Sequence, residues 1–275
     1  MKPKAFDYLK VSSAEEAIAA LAQGGEDARI IAGGLSLMPM LNFRLAEPSV
    51  LIDISKIDSL NYIRETGGSV EIGAATRQAD LMRWDGLERK LPLLHAACPY
   101  IGHYQTRAKG TVCGSLSHAD PSSELPLCMA VLGGEVDLQS ATGKRTLAAD
   151  QFQTGMLSTA KQTGEMLVAA RYPTAKSGEG YAFTEMAQRR GDFAIVAVAA
   201  VASSSKIRLG VGGVADRPTV REWDILEGDA LDDALNAFAW DLGGYDDIHA
   251  TARYRRELVR RLGRRVIEEA KSCRD

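Results

Sequence analysis

Two short glycine-containing segments contain residue types that can bind a charged ligand. Gly33 and Gly34 follow the apolar pair Ile30-Ile31, and residues 110–115 (Gly-Thr-Val-Cys-Gly-Ser) supply small side chains and two hydroxyl groups. A glycine turn after a strand leaves backbone N–H groups open, and such groups bind phosphate oxygens without a clashing side chain. Neither segment has the GxGxxG spacing of a Rossmann nucleotide site. One shared phosphate site and two unrelated turns therefore both remain open.

Ser117, His118 and Asp120 are the residue types of a hydrolase triad. Triad members normally come from separate elements that converge in the fold, whereas these three belong to one short segment. We therefore interpret the segment as a polar loop in which Asp120 precedes a helix through Leu125.

Histidines and cysteines are concentrated between His95 and Cys128, which raises the question of a metal site. Only His95 and Cys98 have a short ligand spacing, and the four cysteines include no CxxC pair. We predict no metal site and reduced thiols of the kind found in cytosolic proteins.

The turn Arg189-Arg190-Gly191-Asp192-Phe193 combines two cations, a glycine, an acid and an aromatic ring. Such a turn can border a planar ligand, and Asp192 is the candidate for tuning that ligand's reduction potential. A solvated turn is the alternative.

A more basic segment near the C-terminus is interpreted as a solvated or partner-facing helix surface, and its arginines are Arg253, Arg255, Arg256, Arg260, Arg261, Arg264 and Arg265.

The elements that must position these residues fall into three predicted domains, with residues 1–57 as the first lobe. Ser13 and Glu16 form a capping box for its first helix, and strands at Ile30-Ile31 and 50–54 surround the first glycine turn. This pattern is typical of a β-α-β unit.

Residues 58–175 form the predicted second lobe, and residues 178–275 the third domain. The second lobe has half-buried strands at 70–72 and 135–138 and a polar loop at 110–123. The third domain has an apolar helix or strand at 194–202, with residues 174–180 as a linker before it. An amphipathic helix over residues 248–271 ends the chain.

The overall composition excludes several classes of protein. The chain of 275 residues is 45% hydrophobic, which is enough to bury cores. Its net charge of -3 gives no general attraction to nucleic acid. The longest apolar run, Phe193 to Ala202, is far shorter than the roughly 18 residues of a membrane span, and no signal peptide precedes Phe6. We therefore expect a cytoplasmic protein without a membrane span.

Taken in order, four stretches resemble the FAD-binding medium subunit of the carbon monoxide dehydrogenase and xanthine dehydrogenase family, the molybdenum hydroxylases. The stretches cover nearly the whole chain, and the combination of two glycine loops followed by His-Ala-Asp-Pro is specific. They are residues 29–37 with 44–48, residues 110–121, residues 183–193, and Tyr254-Arg255-Arg256.

The resemblance implies an α+β fold, with a two-lobed FAD-binding domain of the vanillyl-alcohol oxidase type and a C-terminal domain of the CO dehydrogenase flavoprotein type. It implies FAD as the only cofactor. Cys113 stands where many members have glycine, and Glu185 where some have lysine. The residues that it places at the cofactor are Arg29, Ile30, Ile31, Ala32, Gly33, Gly34, Leu35, Ser36, Ile101, Gly102, Gly110, Thr111, Val112, Cys113, Gly114, Ser115, His118, Glu124, Val168 and Glu185.

The same resemblance implies an electron-transfer subunit without catalytic residues of its own. Electrons would come from a small subunit with [2Fe-2S] clusters and leave to an external acceptor, while a large molybdopterin-containing subunit oxidises the substrate. The expected assembly is a dimer of heterotrimers. A stand-alone FAD-dependent oxidoreductase and an FAD-less scaffold protein of the same fold are the alternatives.

Overall fold

Residues 2–274 of the chain, which the computed structural model describes, form four β-sheets with helices on their faces. The strands are β1 (Asp7–Lys10), β2 (Ala28–Ile31), β3 (Val50–Asp53), β4 (Ile63–Thr66), β5 (Ser69–Gly73), β6 (Glu135–Ser140), β7 (Gly143–Ala148), β8 (Gln153–Gly155), β9 (Ser158–Thr159), β10 (Met166–Pro173), β11 (Gly180–Met186), β12 (Val196–Ala202), β13 (Lys206–Gly212) and β14 (Thr219–Asp224). The helices are α1 (Ala14–Gly24), α2 (Leu37–Asn42), α3 (Gln78–Arg83), α4 (Leu87–Lys90), α5 (Pro92–Ala97), α6 (Tyr104–Arg107), α7 (Val112–His118), α8 (Glu124–Leu132), α9 (Ala149–Phe152), α10 (Gly228–Asp241) and α11 (Ala252–Ser272).

The N-terminal sheet is parallel and has the strand order β1-β3-β2. Helix α1 packs on it, and the predicted cap is confirmed because the Ser13 hydroxyl accepts a hydrogen bond from the Glu16 N–H at 3.2 Å. The return bond of the capping box goes to a different residue, since the Glu16 carboxylate accepts from the Ser12 N–H at 2.7 Å. This sheet ends in the first glycine turn, which follows β2.

A five-stranded antiparallel sheet of order β4-β5-β10-β6-β7 is the second unit. Its helices include α7, so the prediction of a loop throughout residues 110–123 is wrong. Helix α7 forms because the Thr111 hydroxyl caps it, accepting from the Gly114 N–H at 3.0 Å, and because Val112 and Leu116 are buried. Ala119 ends the helix with a φ of 53°.

The third sheet, β11-β12-β13-β14, is antiparallel and lies between two layers of helices. Residues 196–202 form a strand, which resolves the helix-or-strand alternative for this apolar segment. Its side chains alternate, so that Ala197 and Ala199 join the core that includes α8, while Val196 and Val198 join the core beneath α10 and α11.

The C-terminal helix begins four residues later than the pattern of apolar residues predicts. Thr251 caps α11 by accepting from the Tyr254 N–H at 3.2 Å. One of its arginines departs from the predicted solvated face, because Arg255 is fully buried. Burial of a guanidinium requires partners that the local sequence does not show.

The predicted linker at residues 174–180 is attached to the second unit. Thr174 donates its N–H to the Gly68 carbonyl at 2.9 Å, and Ala175 donates to the Lys90 carbonyl at the same distance. The domain limits at 57/58 and 175/178 stay a prediction.

Among residues 2–274, no helix combines the length and the apolar character that crossing a membrane requires.

Candidate functional site

A cleft of about 1250 Å³ lies between the first glycine turn, the start of α7, the strand pair β8-β9 with its following loop, and the turn at residues 188–193. It is larger than the roughly 300–1,000 Å³ of ordinary small-molecule pockets. The cleft is therefore large enough for an extended ligand that contacts several elements.

The first glycine turn forms one wall of this cleft. Residues 33–36 connect β2 to α2, and Gly34 has a φ of +73°, a backbone conformation that favours glycine. Within residues 2–274, the N–H groups of Gly33, Gly34, Leu35 and Ser36 donate no hydrogen bond. Four neighbouring donors without a partner make this wall suitable for an anionic ligand.

The structure brings the second glycine segment against the first. A Cβ atom on Gly33 would collide with the Lys109 carbonyl oxygen and would lie 2.8 Å from the Gly110 Cα. The two segments therefore touch along their backbones, and glycine is required at position 33. This contact favours one shared site over two unrelated turns.

The second segment has fewer free donors than the first. The N–H of Gly110 donates to the Thr106 carbonyl at 2.7 Å, and the N–H of Val112 donates to the Thr76 carbonyl at 3.1 Å. The Thr111 hydroxyl serves as the α7 cap. Ser115 retains a hydroxyl that lines the cleft.

Most of the predicted cofactor residues line this cleft, and three do not. Val112 points into the core from α7, Val168 lies on β10, and the carboxylate oxygens of Glu185 are sealed from solvent. Those at the cleft are Arg29, Ile30, Ile31, Ala32, Gly33, Gly34, Leu35, Ser36, Ile101, Gly102, Gly110, Thr111, Cys113, Gly114, Ser115, His118, Glu124 and Asp192.

The loop before β10 also lines the cleft, although the sequence analysis did not single it out. It contributes Thr159 and residues 161–165. Desolvation lowers the pKa of Lys161, and the Arg29 guanidinium lowers this pKa further. Two cations therefore share one part of the cleft. In the sequence, this polar loop with one glycine looks like an ordinary solvated turn. No local feature of the sequence therefore identifies it as part of the site.

Acidic side chains at another part of the cleft include Glu124 and Asp192, and Glu185 interacts with Glu124 from outside the cleft lining. Burial raises the pKa of Glu124 to about 7. Burial also raises the pKa of Glu185 to about 8, and the neighbouring Glu124 raises it further. Desolvation lowers the pKa of His118, so its imidazole is mostly neutral at neutral pH. Asp192 forms an ion pair with Arg189, at 3.0 Å between Oδ2 and Nε.

The geometry does not support the hydrolase alternative. Asp120 accepts a hydrogen bond from the Ser122 N–H at 2.8 Å, and none of the hydrogen bonds in residues 2–274 joins Ser117, His118 and Asp120. Nor does this part of the chain bring three His, Cys, Asp or Glu side chains together as a metal would require.

Comparison with known families decides the relationship of this chain. Residues 4–175 match the family described as the FAD binding domain in molybdopterin dehydrogenase, which is more than half of the chain. The chain belongs to this family. Residues 181–270 match the CO dehydrogenase flavoprotein C-terminal domain. The predicted α+β fold class and family membership are confirmed, and FAD is the cofactor.

Three relatives show how far the similarity of this family member extends. The 6-hydroxypseudooxynicotine dehydrogenase complex subunit alpha of Paenarthrobacter nicotinovorans is 36% identical over 98% of this chain and 96% of the relative. The carbon monoxide dehydrogenase medium chain of Afipia carboxidovorans is 36% identical over 99% of both chains. The structure of carbon monoxide dehydrogenase from Hydrogenophaga pseudoflava that lacks the Mo-pyranopterin moiety matches with a TM-score of 0.94 and 31% identity over 100% of both chains. These relatives are subunits of dehydrogenases, and this chain is an oxidoreductase flavoprotein.

Proposed function

We propose that this chain is the electron-transfer subunit of a molybdenum hydroxylase complex, with its FAD held in the cleft. Electrons come from [2Fe-2S] clusters of a small partner subunit and leave to an external acceptor. The observation that carries the proposal is the row of unpaired N–H groups at residues 33–36, in backbone contact with the second glycine segment.

The residues of the cleft fit the two phosphates of FAD. The free N–H groups of residues 33–36 bind phosphate oxygens, and the Ser115 hydroxyl adds a donor from the opposite segment. Lys161 and Arg29 supply positive charge on the same cleft. Ile101 and Gly102 line the wall beyond the glycine segments.

Bound FAD exchanges one or two electrons at a time, which connects one-electron clusters to a two-electron acceptor. The chain's own residues hold and orient it, and Asp192, which lines the cleft beside Arg189, tunes its reduction potential through its charge. In the FAD-loaded chain, Asp192→Asn is expected to shift the reduction potential. An unchanged potential would remove Asp192 from this role.

The relatives support a heteromeric assembly, since they include a subunit of a dehydrogenase complex and a dehydrogenase medium chain. We propose that a large molybdopterin-containing subunit oxidises the substrate and that the complex is a dimer of heterotrimers. Turnover of an aldehyde or N-heterocycle by the FAD-loaded chain alone would contradict this division of labour.

The experiment is a visible absorption spectrum of the chain after FAD has been added and free flavin removed. Wild type is expected to retain flavin bands, while Ser36→Asp is expected to lose at least about tenfold in affinity because its carboxylate repels the phosphates. Asp is a favourable residue before a helix, so α2 remains intact.

Ser59→Asp is the matched control, because Ser59 is exposed and outside the cleft. It is expected to retain flavin like wild type. Absence of flavin from both the isolated wild-type chain and the chain co-expressed with its partner subunits would overturn the proposal.

A further inference from the structure

Glu185 is a half-buried acid whose covered carboxylate has no partner among residues 2–274. It lies on β11 on the same face as Phe183, and this face packs toward the core that includes α8. Neither carboxylate oxygen is accessible to solvent, and neither has a hydrogen-bond partner within residues 2–274. An ionised carboxylate in such a place is unfavourable, because nothing replaces the water that it has lost.

Glu124 connects this buried site to the cleft. It is the first residue of α8, it is 9% exposed, and it lines the cleft. In the described chain its carboxylate forms no hydrogen bond or ion pair with another residue, and it accepts from its own backbone N–H. The cation that acts on it is Arg107, whose Nη1 donates to the carbonyls of Ile101 and Gly102 at 2.7 Å each.

The other groups around the pair do not neutralise it. Asp120 acts on Glu124 as a like charge, and the thiols of Cys98 and Cys128 are influenced by Glu124 in turn. The acid that acts on Glu185 is Glu124 itself. Two interacting carboxyl groups lose their protons as a coupled pair, and burial keeps a proton on this pair at neutral pH.

We propose that Glu124 and Glu185 form a proton-holding pair, in which Glu185 stores a proton and Glu124 exchanges it with the FAD in the cleft. This inference rests on the proposed function. Glu124 is the member that reaches the cleft, and Glu185 is the member that solvent does not reach.

One proton would leave the pair for each electron that a [2Fe-2S] cluster delivers to bound FAD. Glu185 would give its stored proton to the Glu124 carboxylate, breaking one O–H bond and forming another, and Glu124 would pass that proton on to the reduced flavin. When the electron leaves to the external acceptor, Glu124 would take the proton back and return it to Glu185. Electron movement is thereby matched by proton movement inside the protein.

The first test uses infrared spectroscopy of the full chain without FAD during a pH titration. The absorption of protonated carboxyl groups is expected to persist through neutral pH in wild type and to decrease in Glu185→Gln and in Glu124→Gln. Glu88→Gln is the control, because Glu88 is exposed and forms no ion pair in the described chain. Should Glu185→Gln fail to fold, Glu124→Gln decides. A signal that is the same in wild type and all variants would overturn the pair.

The second test measures the reduction potential of the FAD-loaded chain as a function of pH. The potential of wild type is expected to fall with rising pH through the neutral range more steeply than that of Glu185→Gln, and Glu185→Asp is expected to restore the steeper dependence. Equal dependence in all three would overturn transfer to the flavin. Failure of wild type to bind FAD, both alone and when co-expressed with its partner subunits, would overturn the proposed function and the transfer with it, and the infrared result would still decide whether the pair holds a proton.

Discussion

At the scale of single residues, Arg255 organises the C-terminal domain. Its side chain is 2% exposed, and its guanidinium donates to the carbonyls of Ile195 at 2.6 Å, Gly213 at 2.8 Å and Tyr245 at 3.2 Å, and to the Asp247 carboxylate at 2.6 Å. These groups belong to separate segments of the third sheet and of the loop before α11. One side chain thus joins the loop to the sheet.

Arg255→Met is expected to lower the free energy of unfolding by about 2–6 kcal/mol, because the buried carbonyls of Ile195 and Gly213 each lose a donor at a cost of about 1–3 kcal/mol. Methionine fills much of the volume, and Asp247 loses its bond to Arg255 but keeps those from the His249 and Ala250 N–H groups. Urea unfolding measures the change, and Arg253→Met is the control because Arg253 is exposed. Equal stabilities of the two variants would contradict the role of Arg255.

The raised pKa of Glu185 makes the free energy of unfolding depend on pH in the chain without FAD. Its pKa is raised to about 8 in the folded state from an ordinary 4.5. Between these values the folded state holds one more proton than the unfolded state, so stability falls as pH rises from about 4.5 to 8. Glu185→Gln is expected to lack this contribution and to gain stability relative to wild type toward pH 8. If the free energies of unfolding of wild type and Glu185→Gln changed with pH in parallel across this range, this contribution of Glu185 would be refuted.

At the scale of elements, the contact between the two glycine segments is the feature that forms the cleft. Gly33→Ala is expected to lower the free energy of unfolding by about 1–3 kcal/mol, because the added methyl group collides with the Lys109 carbonyl. It is also expected to weaken flavin retention, since the segments must separate.

Gly155→Ala is the control for this substitution. Its added Cβ would meet only the Asp216 side chain, at an ordinary contact distance of 3.5 Å. Urea unfolding of both variants compares them, with the slope against urea concentration showing whether each unfolds in the same way as wild type. An equally large loss of stability in Gly155→Ala would mean that the collision with the Lys109 carbonyl is not the cause of the loss in Gly33→Ala.

At the scale of the whole molecule, the third sheet is shared by two hydrophobic cores. Alternate residues of β12 face α8 on one side and α10 with α11 on the other. Neither core can be exposed without disrupting the sheet, so we expect the chain to unfold in a single cooperative transition.

Two variants that retain one tryptophan each test this expectation. The chain has three tryptophans, and Trp84 packs against the first core whereas Trp223 packs against the second. Fluorescence of a variant retaining Trp84 alone and of one retaining Trp223 alone is expected to change at the same urea concentration. Separate midpoints would show that the C-terminal domain unfolds independently.

The sequence by itself determined the local features of this protein. The Ser13 cap, the period-two strands and the first glycine turn depend on neighbouring residues, whose backbone preferences and hydrogen bonds act over a few positions. The order of the motifs along the chain also determined the family, because each motif lies in one continuous stretch.

Only the tertiary structure decided which distant residues meet. The contact of Gly33 with Lys109, the burial of Arg255 and the isolation of Glu185 beside Glu124 all join segments far apart in the chain. Burial of a side chain depends on what packs over it, so an arginine in a basic helix or an acid in a strand appears solvated until its neighbours are known. That long-range packing joins the first glycine turn and the start of α7 into one cleft, and it brings two glutamates together as a pair that holds a proton.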